Sequence, residues 1–453
     1  MPTPDVSPTT DTAAERTAGE VVEICRDLIR IDTSNYGSDG GPGERKAAEY
    51  VAGLLDEVGI SARLHETATG RTSLVAHWGG DGGSSDPALL IHGHLDVVPA
   101  EASDWQVDPF AGEIRDCPQG GPSLWGRGAV DMKDFDAMVL SVVRARQRAG
   151  RLPSRRVVLA FTADEEAGGH LGAQKLIEDL PEEFDGVTEG IGEVGGFSTT
   201  IRGRRLYLIE AAEKGMAWMR LTARGTAGHG SMINHDNAVS RLAAAVARIG
   251  AHDWPVQLTP TMQTLLAAVG ELVGTEPTPA NAESLIEEFG PAARMIGATL
   301  RHVTNPTMLD AGYKVNVIPT EATAHIDGRF LPGYEDEFFA ELARLCGEGI
   351  DIDFLSNQRP WETPYEGAVV DAMTRSLLAE DPGASVAPYL MSAGTDAKHF
   401  TKLGIRTYGF APLRLPADLD FTGLFHGVDE RVPIDALQFG TRVVDRFLDE
   451  ATR

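Results

Sequence analysis

The segment LLIHGHLDVVP, residues 89–99, sets a buried-strand pattern against a polar ending. Its apolar start suits a strand covered on both faces, yet the run finishes in His92, His94 and Asp96. Either these are ordinary polar residues at a strand end, or the strand delivers a ligand set into a pocket. Four later segments share the form, with a polar or acidic residue at a strand end or in the loop just after it. They are GRGAVDMK (126–133), FTADEEAGG (161–169), IGEVGGF (191–197) and FHGVDERVP (425–433). In open α/β sheets, ligands gather at the carboxyl ends of the strands, so residues remote in sequence can converge there.

Working outward, apolar periodicity predicts helices over 20–31, 44–58 and 134–147, and strands over 73–78, 88–92 and 156–162. Strands alternating with helices point to an α/β layer structure. The texture changes near Glu213. Strands at 216–224, 314–317, 321–330 and 350–355, with helices at 237–250 and roughly 261–302, read as an inserted α+β domain. Helix–strand texture then returns, with a helix over 369–379 and a strand over 406–410. The expected division is a disordered lead over 1–19, a catalytic domain made of 20–212 and 361–453, and an insertion over 213–360.

At 453 residues the chain exceeds one typical core. Its formal net charge of −27 argues against a nucleic-acid partner, which calls for a basic patch. Cys25, Cys117 and Cys346 form no CxxC pair, so they read as packed, reduced thiols in a cytoplasmic setting. The first twenty residues lack the basic and apolar regions of a signal peptide, and no apolar run is long enough for a membrane span.

At the strand ends, His94, Asp131, Glu165, Glu166, Glu193 and His426 would converge. So many carboxylates in one cavity repel one another and raise each other's pKa. A cation resolves this, and two divalent ions sharing a bridging carboxylate resolve it better. Mixed imidazole and carboxylate donors suit Zn²⁺, with Co²⁺ or Mn²⁺ as alternatives. Glu165 and Glu166 are consecutive and point in different directions, so one can bind metal while the other serves as proton acceptor and donor. Asp96 is close enough to orient the His94 imidazole. Taken singly, each residue has a plain reading: a structural strand-end histidine, a solvated helix start, a packed His92, or a helix cap at Asp131.

The ordered set HGHLDVVP, then Trp105, Pro109, Phe110, Gly112 and Ile114, then LWGRGAVDMK, FTADEEAGG, IGEVGG, GHGS and FHGVDE resembles the M20 family of metallopeptidases and deacylases. The resemblance runs from about residue 20 to the C-terminus. It implies a zinc-peptidase-like mixed-sheet α/β catalytic domain with an inserted α+β lid and dimerisation domain. His94, Asp131 and Glu193 would hold one Zn²⁺, and Asp131, Glu166 and His426 the other. Glu165 would be general base and acid, Asp96 the support of His94, and Asp131–Met132 a cis peptide. His229, in GTAGHGS, would polarise the scissile carbonyl of the partner's site in a homodimer. Asn316 and Arg329 would meet the substrate's carbonyl and carboxylate oxygens, as would the backbone of Gly394 and Thr395. The implied substrates are small N-acyl amino acids or dipeptides with a free carboxylate.

The chain departs from the family pattern in SAGTDAKHF (392–400), where Ala393 and Lys398 replace a Gly and an Arg, and at Asp134, where Gly is usual. An acidic residue suits a helix N-terminus. The insertion also carries extra helix between Asp253 and Arg301. Two other readings stay open: a binuclear amidohydrolase on a (β/α)₈ barrel, suggested by His-x-His, and a metal-free binding or regulatory protein on the same fold.

Overall fold

The strand Ala88–His94 is buried at every residue, because parallel strands flank both its edges and helices cover its faces. The structure is a computed structural model, and it describes residues 13–37, 40–80, 87–119 and 121–452. Backbone contacts divide the chain into two units: Met1–Ile209, Glu366–Val386 and Thr395–Arg453 in the first, Glu210–Tyr365 and Ala387–Gly394 in the second.

In the first unit the strands follow the spatial order Ala62–Ala68, Arg71–Trp78, Val157–Thr162, Ala88–His94, Val187–Gly192, Arg406–Gly409. The last four run parallel, and the first two pair antiparallel. One face of the sheet closes over Leu90, Val158, Ala160, Leu176, Phe184 and Phe400. Helices Ala13–Arg30, Lys133–Arg148 and Ile434–Ala451 pack against one another, with Val21, Leu28, Met138, Val142, Val444 and Phe447 buried. An open mixed sheet with an edge at Ala62–Ala68 excludes the (β/α)₈ alternative. The fold is α/β, as expected.

In the second unit an antiparallel sheet runs Val303–Ala311, Glu321–Phe330, Gly215–Arg224, Ile350–Gln358. Burial alternates strictly along Glu321–Phe330, the period-two signature of a sheet covered on one side. Helices Ala238–Gly250 and Glu335–Cys346 provide the cover, with Met219, Leu221, Leu242, Ile326 and Phe338 in the core.

Three expectations need correction. The expected lead over 1–19 is helical from Ala13, because Ala13, Ala14, Glu15 and Arg16 are strong helix formers; residues 1–12 lie outside the described residues. The long helix over 261–302 is several pieces, Pro260–Val273, Ala282–Glu287 and Ala293–Gly297 with 3₁₀ turns. Left-handed Gly274 caps the first piece, and Pro277 and Pro279 prevent continuation. The strand expected over 314–317 is a turn leading to the two-residue strand Val317–Ile318. The three cysteines are buried and free.

Candidate metal centre and active site

The carboxyl ends of the parallel strands place the acidic residues together. His94 ends its strand level with Thr162. Beyond Thr162 the chain turns through Asp164, at φ 66°, into a single 3₁₀ turn that begins with Glu165 and Glu166. Asp tolerates this left-handed conformation because its short side chain bonds locally, and Asp164 Oδ2 accepts the Leu171 N–H at 2.9 Å. Glu193 directly follows Val187–Gly192. Asp131 lies just before helix Lys133–Arg148, across a cis peptide to Met132. His426 stands in a loop at φ 57°, its side chain 56 % exposed on the rim.

Two imidazoles and three carboxylates meet here. His94 Nε2 is 3.1 Å from Asp131 Oδ1 and 3.2 Å from Glu193 Oε2. His426 Nε2 is 3.3 Å from Asp131 Oδ2 and 3.1 Å from Glu166 Oε2. Asp131 therefore turns one oxygen to each imidazole. The second oxygen of Glu166 accepts the Val98 N–H at 3.2 Å. His94 Nδ1 lies 2.9 Å from the Asp96 carbonyl oxygen, which can only accept, so Nδ1 carries the hydrogen. That leaves Nε2 directed at the two acids. Metal–ligand bonds of 2.0–2.1 Å in a tetrahedral site set donor atoms about 3.3 Å apart, and all four separations fit that spacing. The donor chemistry fits the same group. Two sets of donors, His94 with Glu165 and Glu193, and His94 with Asp131 and Glu166, lie within 4.8 Å.

With the protein's own charges alone the cluster is strained. Burial, then the neighbouring Asp131, pushes Glu166 up to about 8, and burial lifts Glu193 well above the carboxylate range. Hydrogen bonds to Asp131 and Glu166 raise His426 to about 10. Burial also raises Glu165, against the pull of Lys398.

Asp96 acts differently from a simple carboxylate–imidazole partner. Its carbonyl holds His94, while its carboxylate lies 3.6 Å from the ring. Oδ1 and Oδ2 instead accept the Glu165 and Glu166 N–H groups, each at 3.1 Å. His92 packs as expected, its ring 4.8 Å from Phe400, and burial drives it down to about 3. Asp134 stands in the first turn of helix Lys133–Arg148, where it is buried, and burial pushes it up to about 8.

Sequence reasoning missed three supports. Asn35 Nδ2 donates to Asp96 Oδ2 at 2.9 Å and to Asp164 Oδ1 at 3.2 Å. Its Oδ1 accepts from Arg71 at 2.7 Å, which fixes the amide orientation. Glu430 accepts from Arg127, Gly128 and Val130. Lys398, noted only as a replacement, lies beside Glu165. The Asx-turn setting of Asn35 in TSN and the acid after GVD were the available signals, both weak without the fold.

The remaining candidates are described within their own surroundings. His229 is exposed in the second unit, level with Val317, its Nδ1 2.8 Å from Ser231 Oγ. Exposed Asn316 offers its carbonyl to the Gly230 N–H at 3.0 Å. Arg329 forms a two-pronged pair with Asp327 at 2.8 and 3.2 Å. Gly394 is exposed, and Thr395 is buried with its hydroxyl accepting the Ala397 N–H.

An open α/β sheet with imidazoles and acids gathered at its strand ends defines an α/β protein with a candidate metal centre. The sequence profile of peptidase family M20/M25/M40 matches residues 90–450, and the chain belongs to that family. It is 27% identical over 468 residues to the N-fatty-acyl-amino acid synthase/hydrolase PM20D1 of Xenopus tropicalis, covering 94% of this chain and 84% of that protein. Aminoacylase-1 of Homo sapiens is 26% identical, covering 94% of each. The M20 family metallo-carboxypeptidase Sso-CP2 from Sulfolobus solfataricus shares the fold, with a TM-score of 0.68 at 19% identity, covering 95% of this chain and 99% of that one. Among the described residues no helix is long and apolar enough to cross a membrane.

Proposed function

We propose that the protein is a dinuclear metal-dependent hydrolase that cleaves the amide bond of small N-acyl amino acids or dipeptides bearing a free carboxylate. The observation that carries this reading is the division of Asp131 between His94 and His426, one oxygen to each. Relatives named as an N-fatty-acyl-amino acid synthase/hydrolase and an aminoacylase support the amide chemistry.

His94, Asp131 and Glu193 would hold one Zn²⁺, and Asp131, Glu166 and His426 the other, with Co²⁺ or Mn²⁺ as substitutes. When bound, such ions polarise a carbonyl and lower the pKa of water towards 7. Glu165 takes the proton of the attacking water and delivers it to the leaving nitrogen. Asp96 fixes the Glu165–Glu166 turn through the two main-chain N–H groups, so proton acceptor and ligand keep their separate directions. His229 stabilises the developing oxyanion, while Asn316, Arg329, Gly394 and Thr395 receive substrate oxygens. Arg329 would hold the carboxylate by its bidentate fork, exchanging part of its contact with Asp327. We assign 213–360 as an inserted lid and homodimerisation domain, with His229 serving the partner's site, and the setting as cytoplasmic. A metal-free carrier is the second reading; the buried Glu165 beside the donor cluster disfavours it.

Protein purified without chelator should hydrolyse a member of a panel of N-acyl amino acids and dipeptides, lose turnover on chelation and regain it with Zn²⁺ or Co²⁺. Glu165→Gln should retain metal and lose at least about a thousandfold in kcat. Turnover that survives either treatment contradicts the proposal.

A further inference from the structure

Glu165 has two competing surroundings. Its carboxylate lies within 4.8 Å of donor atoms of His94 and Glu193. Lys398 Nζ also stands 3.5 Å from Glu165 Oε1, with the two side chains only 8 % and 9 % exposed. Lysine is almost never this buried without a charged partner, and the four-residue helix Ala397–Phe400 holds Lys398 in place. That helix follows Asp396, whose Oδ2 accepts from Thr162 Oγ1 at 2.6 Å. Thr162 ends the strand that leads to Glu165. Lysine and glutamate are thus fastened to the same strand end by separate bonds.

We propose that Lys398 is a positioning residue that holds the Glu165 carboxylate away from the metal donors and so keeps it a proton carrier rather than a further ligand. This rests on the function proposed above. A carboxylate next to divalent cations is drawn to them, and the neighbouring ammonium group is the counterweight that the chain supplies. Lysine suits the task because it is a compact point charge. Asp96 holds the backbone of Glu165, whereas Lys398 meets its carboxylate.

The test uses metal-loaded, full-length K398M, K398R, E165Q and E165Q/K398M proteins, assayed on the best N-acyl amino acid found. K398M should lose about ten- to a hundredfold in kcat, with KM within about twofold. K398R should recover most of it. Adding K398M to E165Q should slow turnover no further. Metal affinity of K398M should be equal to or greater than that of the parent, and its crystal structure should show Glu165 turned towards the ions. If K398M does not fold, K398Q carries the same comparisons. A rise in KM at constant kcat would make Lys398 a substrate contact and overturn the proposal, as would metal loss or multiplicative effects in the double variant. Full turnover by E165Q would overturn the parent reading and this one together. An inactive E165Q beside an unimpaired K398M would overturn this one alone.

Discussion

Glu430 accepts the main-chain N–H of Val130 at 2.8 Å, which ties the loop carrying His426 to the residue next to Asp131. Its other oxygen accepts from Gly128 at 3.0 Å and Arg127 at 2.7 Å. One buried carboxylate thereby sets the approach of two proposed ligand loops. Glu430→Gln keeps the size but replaces an oxygen acceptor with a donor that faces N–H groups. We expect metal affinity to fall about ten- to a hundredfold, in the range for groups that orient ligands. Competition with a chromogenic chelator measures it, and unchanged affinity would separate this loop contact from the metal centre.

Asn35 separates two acids. With its amide removed, Asp96 Oδ2 and Asp164 Oδ1 lose the N–H group they share. Asn35→Leu should destabilise the protein by about 2–3 kcal/mol, because Asp164 Oδ1 and the Arg71 N–H lose their partner while Asp96 Oδ2 keeps only the Glu166 N–H. It should also loosen the Glu165–Glu166 turn. Denaturant unfolding of the metal-loaded protein reads the first effect, and a drop in kcat reads the second. A variant with the parent's midpoint and turnover would refute both.

The line between what sequence could reveal and what it could not follows the range of the contacts. His94 stood out at the end of the apolar run Leu89–Ile91, but the set of candidate ligands was legible only through the ordered motifs that resemble the family. Asn35 and Glu430 did not stand out, because a polar residue in a loop has no pattern until its distant partners are known. The Asp96 carbonyl was equally hidden: every residue has one, and only the fold aims it at His94. Strict alternation made Glu321–Phe330 legible to the residue, whereas the helix at 261–302 failed because apolar spacing outweighed Gly274, Pro277 and Pro279.

Away from the site, Glu380 joins two helices by bonding Arg442 at 2.8 Å and Arg446 at 2.5 Å. Burial alone would raise its pKa, but the two guanidinium groups win and hold it below the usual carboxylate value. A depressed folded pKa means that the unfolded chain binds the proton more readily. The contribution is therefore complete above about pH 4.5 and lost as the pH falls through the folded value. Glu380→Gln should lower stability by about 1 kcal/mol at pH 7, and the difference should shrink towards pH 3. A gap that stays constant over that range would contradict the assignment.

Anomalous diffraction from crystals grown with Zn²⁺ tests the central claim, that Asp131 is shared between two cations, most directly. Two peaks about 3.5–4 Å apart, one beside His94 and Glu193 and the other beside His426 and Glu166, with an Asp131 oxygen on each, is the predicted result. A single peak, or ions bound away from Asp131, would contradict it.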